Sequence, residues 1–241
     1  MKEDYADGYA TLYRTHWWWR AREHVLLDEI TSLVGGRPRP LRVLDVGCGA
    51  GLFFDALAHL GEIQGIEADG SLVAQAGRWQ SQITHGSLDN SFAPAHRFDL
   101  VLMLDVLEHL HDPVTPLKRA HSLMTPDGSL IVTVPALRWL WTRHDDLNEH
   151  VTRYARRELT DLLTGAGWHV AKTEFLFASL VPGKLAVRAL EAITRPEPTS
   201  PRVPSPFINR MSQRWLELES SCRSVLPIGT SLLAVAHPNR P

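Results

Sequence analysis

The sequence predicts an α/β fold, a Rossmann-like seven-stranded and mostly parallel sheet with helices on both faces. Short apolar runs bounded by turns alternate with helical segments along the chain, which is typical of βαβ units. The first of these runs, Leu41 to Val46, is followed by glycine at positions 47, 49 and 51. This pattern predicts a buried strand that turns tightly into a helix beside a pocket for a small, nucleotide-like cofactor.

Length and composition predict a single domain that spans residues 1–241. The chain is 44% hydrophobic, which is enough for a full core, and its net charge of -2 gives no basic field for nucleic acid. Two cysteines, Cys48 and Cys222, make no disulfide framework, so we expect a cytoplasmic protein. No apolar run reaches about 18 residues, so we expect no transmembrane segment.

The spacing of the glycine loop separates the families that use such loops. A dinucleotide-binding turn, typical of oxidoreductases, needs a glycine where this chain has Leu52, and no Gly-Lys-Ser/Thr follows for a P-loop. The run D-x-G-x-G-x-G closely resembles the first motif of the class I methyltransferases that use S-adenosylmethionine. The resemblance implies that Asp45 faces the cationic methionyl end of this cofactor, and that the loop backbone approaches it at Gly47, Cys48, Gly49 and Gly51. A tight turn without a ligand is the alternative.

Acidic residues end two neighbouring strands. The second strand, Glu62 to Glu67, ends 22 positions after Asp45, and parallel neighbours place their carboxyl ends beside one crevice. We therefore predict that Glu67 binds the ribose hydroxyls, with Ala68 next to it. A solvated carboxylate is the alternative, since Asp69 could cap the following helix.

Two further segments complete the predicted cofactor site. The segment Gln82 to Ser91 predicts a short strand and a polar loop, and its resemblance to the family places the adenine beside Ser87 and Leu88. Leu104 follows the fourth strand, Phe98 to Met103, and joins the predicted cofactor-binding set.

The residues after the fourth strand carry a second resemblance. Asp105, Glu108 and His109 match the acid-x-x-Glu-His signature of the ubiquinone-biosynthesis O-methyltransferase group. Their spacing of three and four places them on one face of a helix. We predict that Glu108 and His109 act on the substrate and that no metal is bound. A divalent metal held by all three residues and a purely structural role are the alternatives.

A polar stretch, WLWTRHDDLNEHVTRY, follows the fifth strand. His144 and His150 are candidate general bases, because imidazole titrates near neutral pH, and Asp145 could fix the tautomer of either. A hydrated loop is the alternative.

Both ends of the chain add helices to the predicted core, residues 41–178. Tyr5, Tyr9, Tyr13 and Trp17 recur every four residues, which predicts one helix within residues 8–36. This helix either packs on the domain or forms a lid that brings Trp17 to the cofactor.

A helical insertion is predicted over residues 179–227, before a last strand in residues 228–237. Its proline-rich linker precedes a helix with an apolar stripe of Ile208, Met211, Trp215, Leu218, Cys222 and Val225. The stripe should be covered by the domain itself, a second copy of the chain or a hydrophobic substrate. We expect the insertion to wall an acceptor pocket, with a homodimer as the rival.

These features predict transfer of a methyl group from S-adenosylmethionine to a small molecule, with oxygen on a partly apolar metabolite as the first choice of nucleophile. Methylation of nitrogen or carbon, and a non-catalytic module that binds S-adenosylmethionine, are the alternatives.

Overall fold

The computed structural model of the protein describes residues 3–194 and 201–239. Its strands are β1 (Leu41–Val46), β2 (Gly61–Glu67), β3 (Ile83–His85), β4 (Phe98–Leu104), β5 (Met124–Pro135), β6 (Trp168–Leu176) and β7 (Ser231–Pro238). They form one sheet in the order β3-β2-β1-β4-β5-β7-β6. All neighbours are parallel except β7, which is antiparallel to β5 and β6. The predicted seven-stranded, mostly parallel sheet is confirmed.

Helices cover both faces of this sheet. The described helices are α1 (Glu3–Thr15), α2 (Trp17–Val34), α3 (Phe54–Leu57), α4 (Gly70–Ala74), α5 (Val114–Leu123), α6 (Arg143–Leu147), α7 (Arg156–Gly165), α8 (Val181–Thr194) and α9 (Pro206–Ser220). Helix α3 has only four residues, because the chain still turns at positions 50–53 after the glycine loop.

The prediction of one N-terminal helix over residues 8–36 is wrong. His16 interrupts it in an extended conformation, and its Nδ1 atom accepts a hydrogen bond from the amide of Trp18 at 3.2 Å, which caps α2. The break divides the predicted helix into α1 and α2, and the four-residue aromatic repeat does not reveal this break. The side chains of Tyr5 and Tyr9 lie outside the described residues.

Helix α2 is fixed to the sheet by apolar packing and by a buried ionic cluster. Val25 and Ile30 are fully covered against the core. The buried carboxylate of Glu29 accepts hydrogen bonds from Lys172 at 2.7 Å and Arg223 at 2.8 Å. These contacts join α2 to β6 and to the turn after α9, so the amino-terminal end of α2 has a defined position above the sheet.

The carboxyl ends of three parallel strands meet at one edge. In register, Asp45 of β1 lies beside Gly65 of β2 and Leu102 of β4. Strand β1 is central, and four of its last five residues are covered on both faces, as expected for a parallel sheet between helix layers. The residues that follow β1, β2 and β4 therefore share one crevice.

The insertion is helical, as predicted, but its apolar stripe lies on the surface. Helix α9 packs on α2 through buried Leu216. The side chain of Asn209 in α9 accepts a hydrogen bond from the amide of Trp17 and donates one to the carbonyl of Thr15. Trp215 and Leu218 on the opposite face are 61% and 70% exposed. The helix ends at Ser220, so Cys222 and Val225 lie beyond it. The linker prediction falls partly outside the described residues, at positions 195–200.

Within residues 3–194 and 201–239, no helix combines the length and the hydrophobicity needed to cross a membrane.

We expect the exposed stripe on α9 to be covered by a second copy of the chain, because contiguous apolar surface of this kind is uncommon on monomers. Light scattering should then give a dimer for the wild type and a monomer for Trp215→Glu. Trp215→Phe keeps the face apolar and should keep the dimer. A wild-type monomer would contradict this prediction.

Candidate active site

A large cavity of about 1010 Å³ lies at the carboxyl edge of the sheet. This volume is at the upper end of the roughly 300–1,000 Å³ typical of ligand pockets, which is room for a cofactor and an acceptor together. The predicted site residues that line it are Trp17, Asp45, Gly47, Cys48, Gly49, Glu67, Ala68, Ser87, Leu88, Leu104, Glu108, His109, His144 and His150.

Gly51 does not belong to the lining of this cavity, unlike the other predicted glycines. Its backbone has φ of +66°, and a Cβ atom there would lie 3.2 Å from the side chain of Ile83 and 3.5 Å from that of Phe54. Gly51 is therefore needed for a left-handed turn and close packing under the loop, and the predicted cofactor contact is corrected.

The glycine loop is held open toward the cavity by its backbone conformation. Gly47 and Gly49 have φ of +66° and +55°, a region that favours glycine. The amide of Gly49 donates to Oε2 of Glu67 at 2.8 Å. A Cβ atom at Gly49 would meet only Leu72, at 4.0 Å, so the space above this residue is free of the described protein atoms.

Two carboxylates flank that space. Glu67 also accepts from the amide of Asp69, at 2.8 Å, and these two amide bonds fix its position at the end of β2. Asp69 caps α4 through Ser71, as the alternative suggested, and ribose binding by Glu67 stays a prediction. Asp45 is buried, and burial raises its pKa to about 7, opposed by the positive charge of Arg22 and helped by the charge of Glu67.

Arg22 is a cavity residue that the sequence did not identify. It projects from α2, its Nη2 atom lies 2.8 Å from Oδ2 of Asp105, and the same nitrogen donates to Thr133 at 3.1 Å. Trp17 and Trp18 line the cavity from the same helix. The amino-terminal part of α2 therefore lines the cavity, and its role as a lid over the cofactor stays a prediction.

The predicted helical face of Asp105, Glu108 and His109 is wrong. Asp105 has φ of +59° and precedes a single 3-10 turn, Leu107–His109. Its carboxylate pairs with Arg22, whereas Glu108 is fully buried and His109 packs against His150. The three residues therefore do not share one helical face: Asp105 pairs with α2, and Glu108 and His109 lie together beside His150.

The other end of the cavity is organised by Asp145, which is fully buried. Its Oδ1 atom lies 2.9 Å from Nδ1 of His150 and 2.7 Å from Nε of Arg153. Its Oδ2 atom accepts from the amide of Thr142 at 2.8 Å and lies 3.5 Å from Nζ of Lys184. Burial alone would raise the pKa of Asp145, but the His150 bond and the charges of Lys184 and Arg153 hold it well below its usual value.

This arrangement separates the two histidines that were predicted as bases. Asp145 pairs with Nδ1 of His150, so Nε2 is the ring nitrogen that is left to act as a base. His144 instead lies with Nε2 at 3.1 Å from the amide nitrogen of Asn148. Burial and the charge of Lys184 lower the pKa of His144 to about 4, so its ring is neutral and weakly basic at pH 7.

His109 and Glu108 complete the wall beside His150. The rings of His109 and His150 are edge-to-face with centroids 4.9 Å apart. Burial lowers the pKa of His109 and raises that of Glu108 well above its usual value. The carbonyl of Glu108 accepts from the amide of Val151 at 2.7 Å, which joins this turn to the loop that carries His150.

A divalent metal fits this wall chemically. Within the described part of the chain, the carboxylate of Glu108 has no hydrogen-bond partner although it is buried. Its oxygen and the ring nitrogens of His109 and His150 lie within 4.8 Å of one another. One carboxylate and two imidazoles suit zinc or a similar ion. The set differs from the predicted alternative, because His150 takes the place of Asp105. Absence of a metal stays a prediction.

The cofactor end fits S-adenosylmethionine by its charge and shape. The ligand is cationic at its sulfonium and amino groups, and the cavity offers the carboxylates of Asp45 and Glu67. The open space above Gly49 is one that a side chain at this position would fill. Carboxylates and glycine backbone are the groups such a ligand needs.

A methyltransferase-domain family model matches residues 18–173. The ubiquinone biosynthesis O-methyltransferase of Bradyrhizobium diazoefficiens is 35% identical over 106 residues, 41% of this chain and 42% of that protein. The enzyme of the same name from Ruegeria pomeroyi is 32% identical over 174 residues, 58% of this chain and 69% of that protein. The matched segments thus span 42% and 69% of these two relatives.

The solved structure of an S-adenosylmethionine-dependent methyltransferase from Thermotoga maritima, described as a possible histamine N-methyltransferase, shares the fold. It superposes with a TM-score of 0.58 at 18% identity, over 98% of this chain and 97% of that one. The predicted enzyme class and cofactor are confirmed at the level of family and fold. Since the matched region covers more than half of its length, this chain belongs to the methyltransferase-domain family, with the class I architecture that uses S-adenosylmethionine.

Proposed function

We propose that this protein transfers a methyl group from S-adenosylmethionine to an oxygen atom of a small, partly apolar acceptor. The observation that carries the proposal is His150, held by Asp145 in the cavity that also contains the glycine loop. The names of the two bacterial relatives support oxygen as the nucleophile. Apolar lining by Trp18, Leu110 and Val187 supports an acceptor with an apolar part.

In this proposal the cofactor occupies the end of the cavity beside β1 and β2. Asp45 balances the cationic methionyl group, Glu67 meets the ribose hydroxyls, and Ser87 and Leu88 border the adenine. Trp17 and Ala68 close the sides. When bound, the cofactor supplies a methyl group on a sulfonium, which needs an aligned nucleophile more than further activation.

His150 is the proposed general base. Its Nε2 atom takes the proton of the acceptor hydroxyl, while Asp145 holds the opposite nitrogen and stabilises the imidazolium that forms. His109 and Glu108 form the wall beside it and orient the acceptor. His144 supports this loop through Asn148 and contributes less to proton transfer.

Calorimetry with S-adenosylmethionine, S-adenosylhomocysteine and NAD tests the cofactor, and mass spectrometry with a panel of phenols and catechols tests the reaction. A gain of one methyl mass on oxygen supports the proposal, and binding of NAD alone would overturn it. Methylation only at nitrogen or carbon would correct the acceptor class. A cytoplasmic location and a lack of nucleic-acid partners stay predictions.

Replacing Gly49 with Val should place a branched side chain in the space assigned to the methionyl group. S-adenosylmethionine affinity in calorimetry should fall at least tenfold, about 1.4 kcal/mol. Gly77→Val is the matched control, because Gly77 has a similar φ of +56° but lies outside the cavity. Unchanged affinity in folded Gly49→Val, or an equal loss in the control, would contradict the placement.

Binding of S-adenosylmethionine should strengthen as the pH rises from 5.5 to 7. Asp45 has a pKa of about 7, so at lower pH it is protonated and must lose its proton to pair with a cation. Affinity should increase by up to about tenfold per pH unit well below the pKa. Asp45→Asn should flatten this dependence, and a flat wild-type profile would refute the role of Asp45.

The proposed base predicts a difference between two histidines of one loop. His150→Ala should lower kcat by about 100-fold or more, whereas His144→Ala should lower it less than about tenfold. Cofactor affinity should stay within a few-fold in both variants. A larger loss in His144→Ala would reverse the assignment. Activity should also survive a chelator, and loss that zinc or magnesium restores would instead make Glu108, His109 and His150 metal ligands.

A further inference from the structure

Lys184 brings an incompletely neutralised positive charge into the cavity. Its side chain is 19% exposed, and its contact with Asp145 measures 3.5 Å, longer than the 2.7–2.9 Å of a strong charge-assisted hydrogen bond. The same carboxylate already binds Arg153 at 2.7 Å and His150 at 2.9 Å. One buried anion therefore serves an arginine, a lysine and an imidazole. Burial lowers the pKa of Lys184, so a second anion beside this lysine would stabilise its charged form.

The other ionisable groups near Lys184 balance this charge only in part. Glu191, two turns further along α8, acts on Lys184 electrostatically, but its carboxylate oxygen accepts from the amide of Arg143 at 3.0 Å, and among the described residues it forms no ion pair with Lys184. Burial and the charge of Lys184 lower the pKa of His144 to about 4, so His144 is neutral near pH 7. This part of the cavity thus carries positive charge that a ligand can neutralise.

We infer that Lys184 binds a carboxylate on the acceptor, close to the hydroxyl group that is methylated. The inference rests on the proposed function and deepens it, because it gives the acceptor class as acidic hydroxylated aromatic compounds. His150 and Lys184 each contact one oxygen of the Asp145 carboxylate, so the two side chains lie close together. A hydroxyl group at His150 and an anionic group at Lys184 therefore belong to one small acceptor molecule.

Charge and surroundings favour a carboxylate over a phosphate. A single lysine offers one positive charge, which a carboxylate matches, whereas a phosphate monoester carries about -1.5 to -2 near pH 7. Leu180 and Val187 line the cavity on either side of Lys184, which suits the apolar ring that joins the two polar groups. The acceptor then has a hydroxyl, a ring and an acid group in sequence.

This subsite belongs to the insertion. The family match ends at residue 173, and Lys184 lies eleven residues later, in α8. The segment that selects the acceptor is therefore supplied by the part of this chain outside the matched domain.

Calorimetry of the protein saturated with S-adenosylhomocysteine tests the inference. The probes are 3,4-dihydroxybenzoate, 3,4-dihydroxyphenylacetate and 3,4-dihydroxycinnamate, each compared with its own amide. The wild type should bind at least one acid tenfold more tightly than the amide, and Lys184→Met should remove this preference. Lys184→Arg should retain part of it, and Lys118→Met, which removes a charge from the exposed surface of α5, should retain all of it.

The outcomes separate this inference from the proposed function. Failure of S-adenosylhomocysteine to bind would overturn the proposed function itself. If it binds but no acid binds more tightly than its amide, or if Lys184→Met keeps the preference, only the carboxylate subsite is overturned. If Lys184→Met lowers kcat equally for acids and amides without changing their relative affinities, Lys184 acts on the reacting oxygen and the subsite is likewise rejected.

Discussion

The buried carboxylate of Asp145 is the interaction on which the acceptor end of the site depends. A buried carboxylate is stable only when charged or polar partners replace water, and here Thr142, His150, Arg153 and Lys184 do so. These partners come from α6, the following loop and α8. The charge of Asp145 therefore holds together the proposed base His150, the loop that carries it and helix α8.

The cofactor end depends on a different constraint, the convergence of parallel strands. Three strand ends deliver Asp45, Glu67 and Asp105 to one edge, and three nearby carboxylates require positive charge. Arg22 from α2 supplies part of it by pairing with Asp105. Helix α2 is thus tied to the sheet by the same excess of negative charge that suits a cationic cofactor.

The two ends of the cavity have opposite electrostatic character. Carboxylates dominate beside the glycine loop, whereas Lys184 and Arg153 lie beside Asp145. A cationic methyl donor and an anionic acceptor would each meet complementary charge and be directed to separate halves. The insertion contributes α8 to this division, while α9 braces α2 and exposes its apolar face. Trp215 does not line the cavity, so α8, and not the stripe, is the part of the insertion that could wall the proposed acceptor.

The sequence by itself determined the sheet, the glycine loop and most of the residues that line the cavity beside it, because the sheet and the loop follow from local patterns of apolar runs, glycines and strand ends. It also identified His144 and His150, which both line the cavity, without choosing between them. Only the tertiary structure decided that Asp145 pairs with His150, that Asp105 pairs with Arg22, and that Lys184 enters the cavity. Periodicity describes neighbours along one element, whereas these pairs join side chains from separate elements once the core has packed.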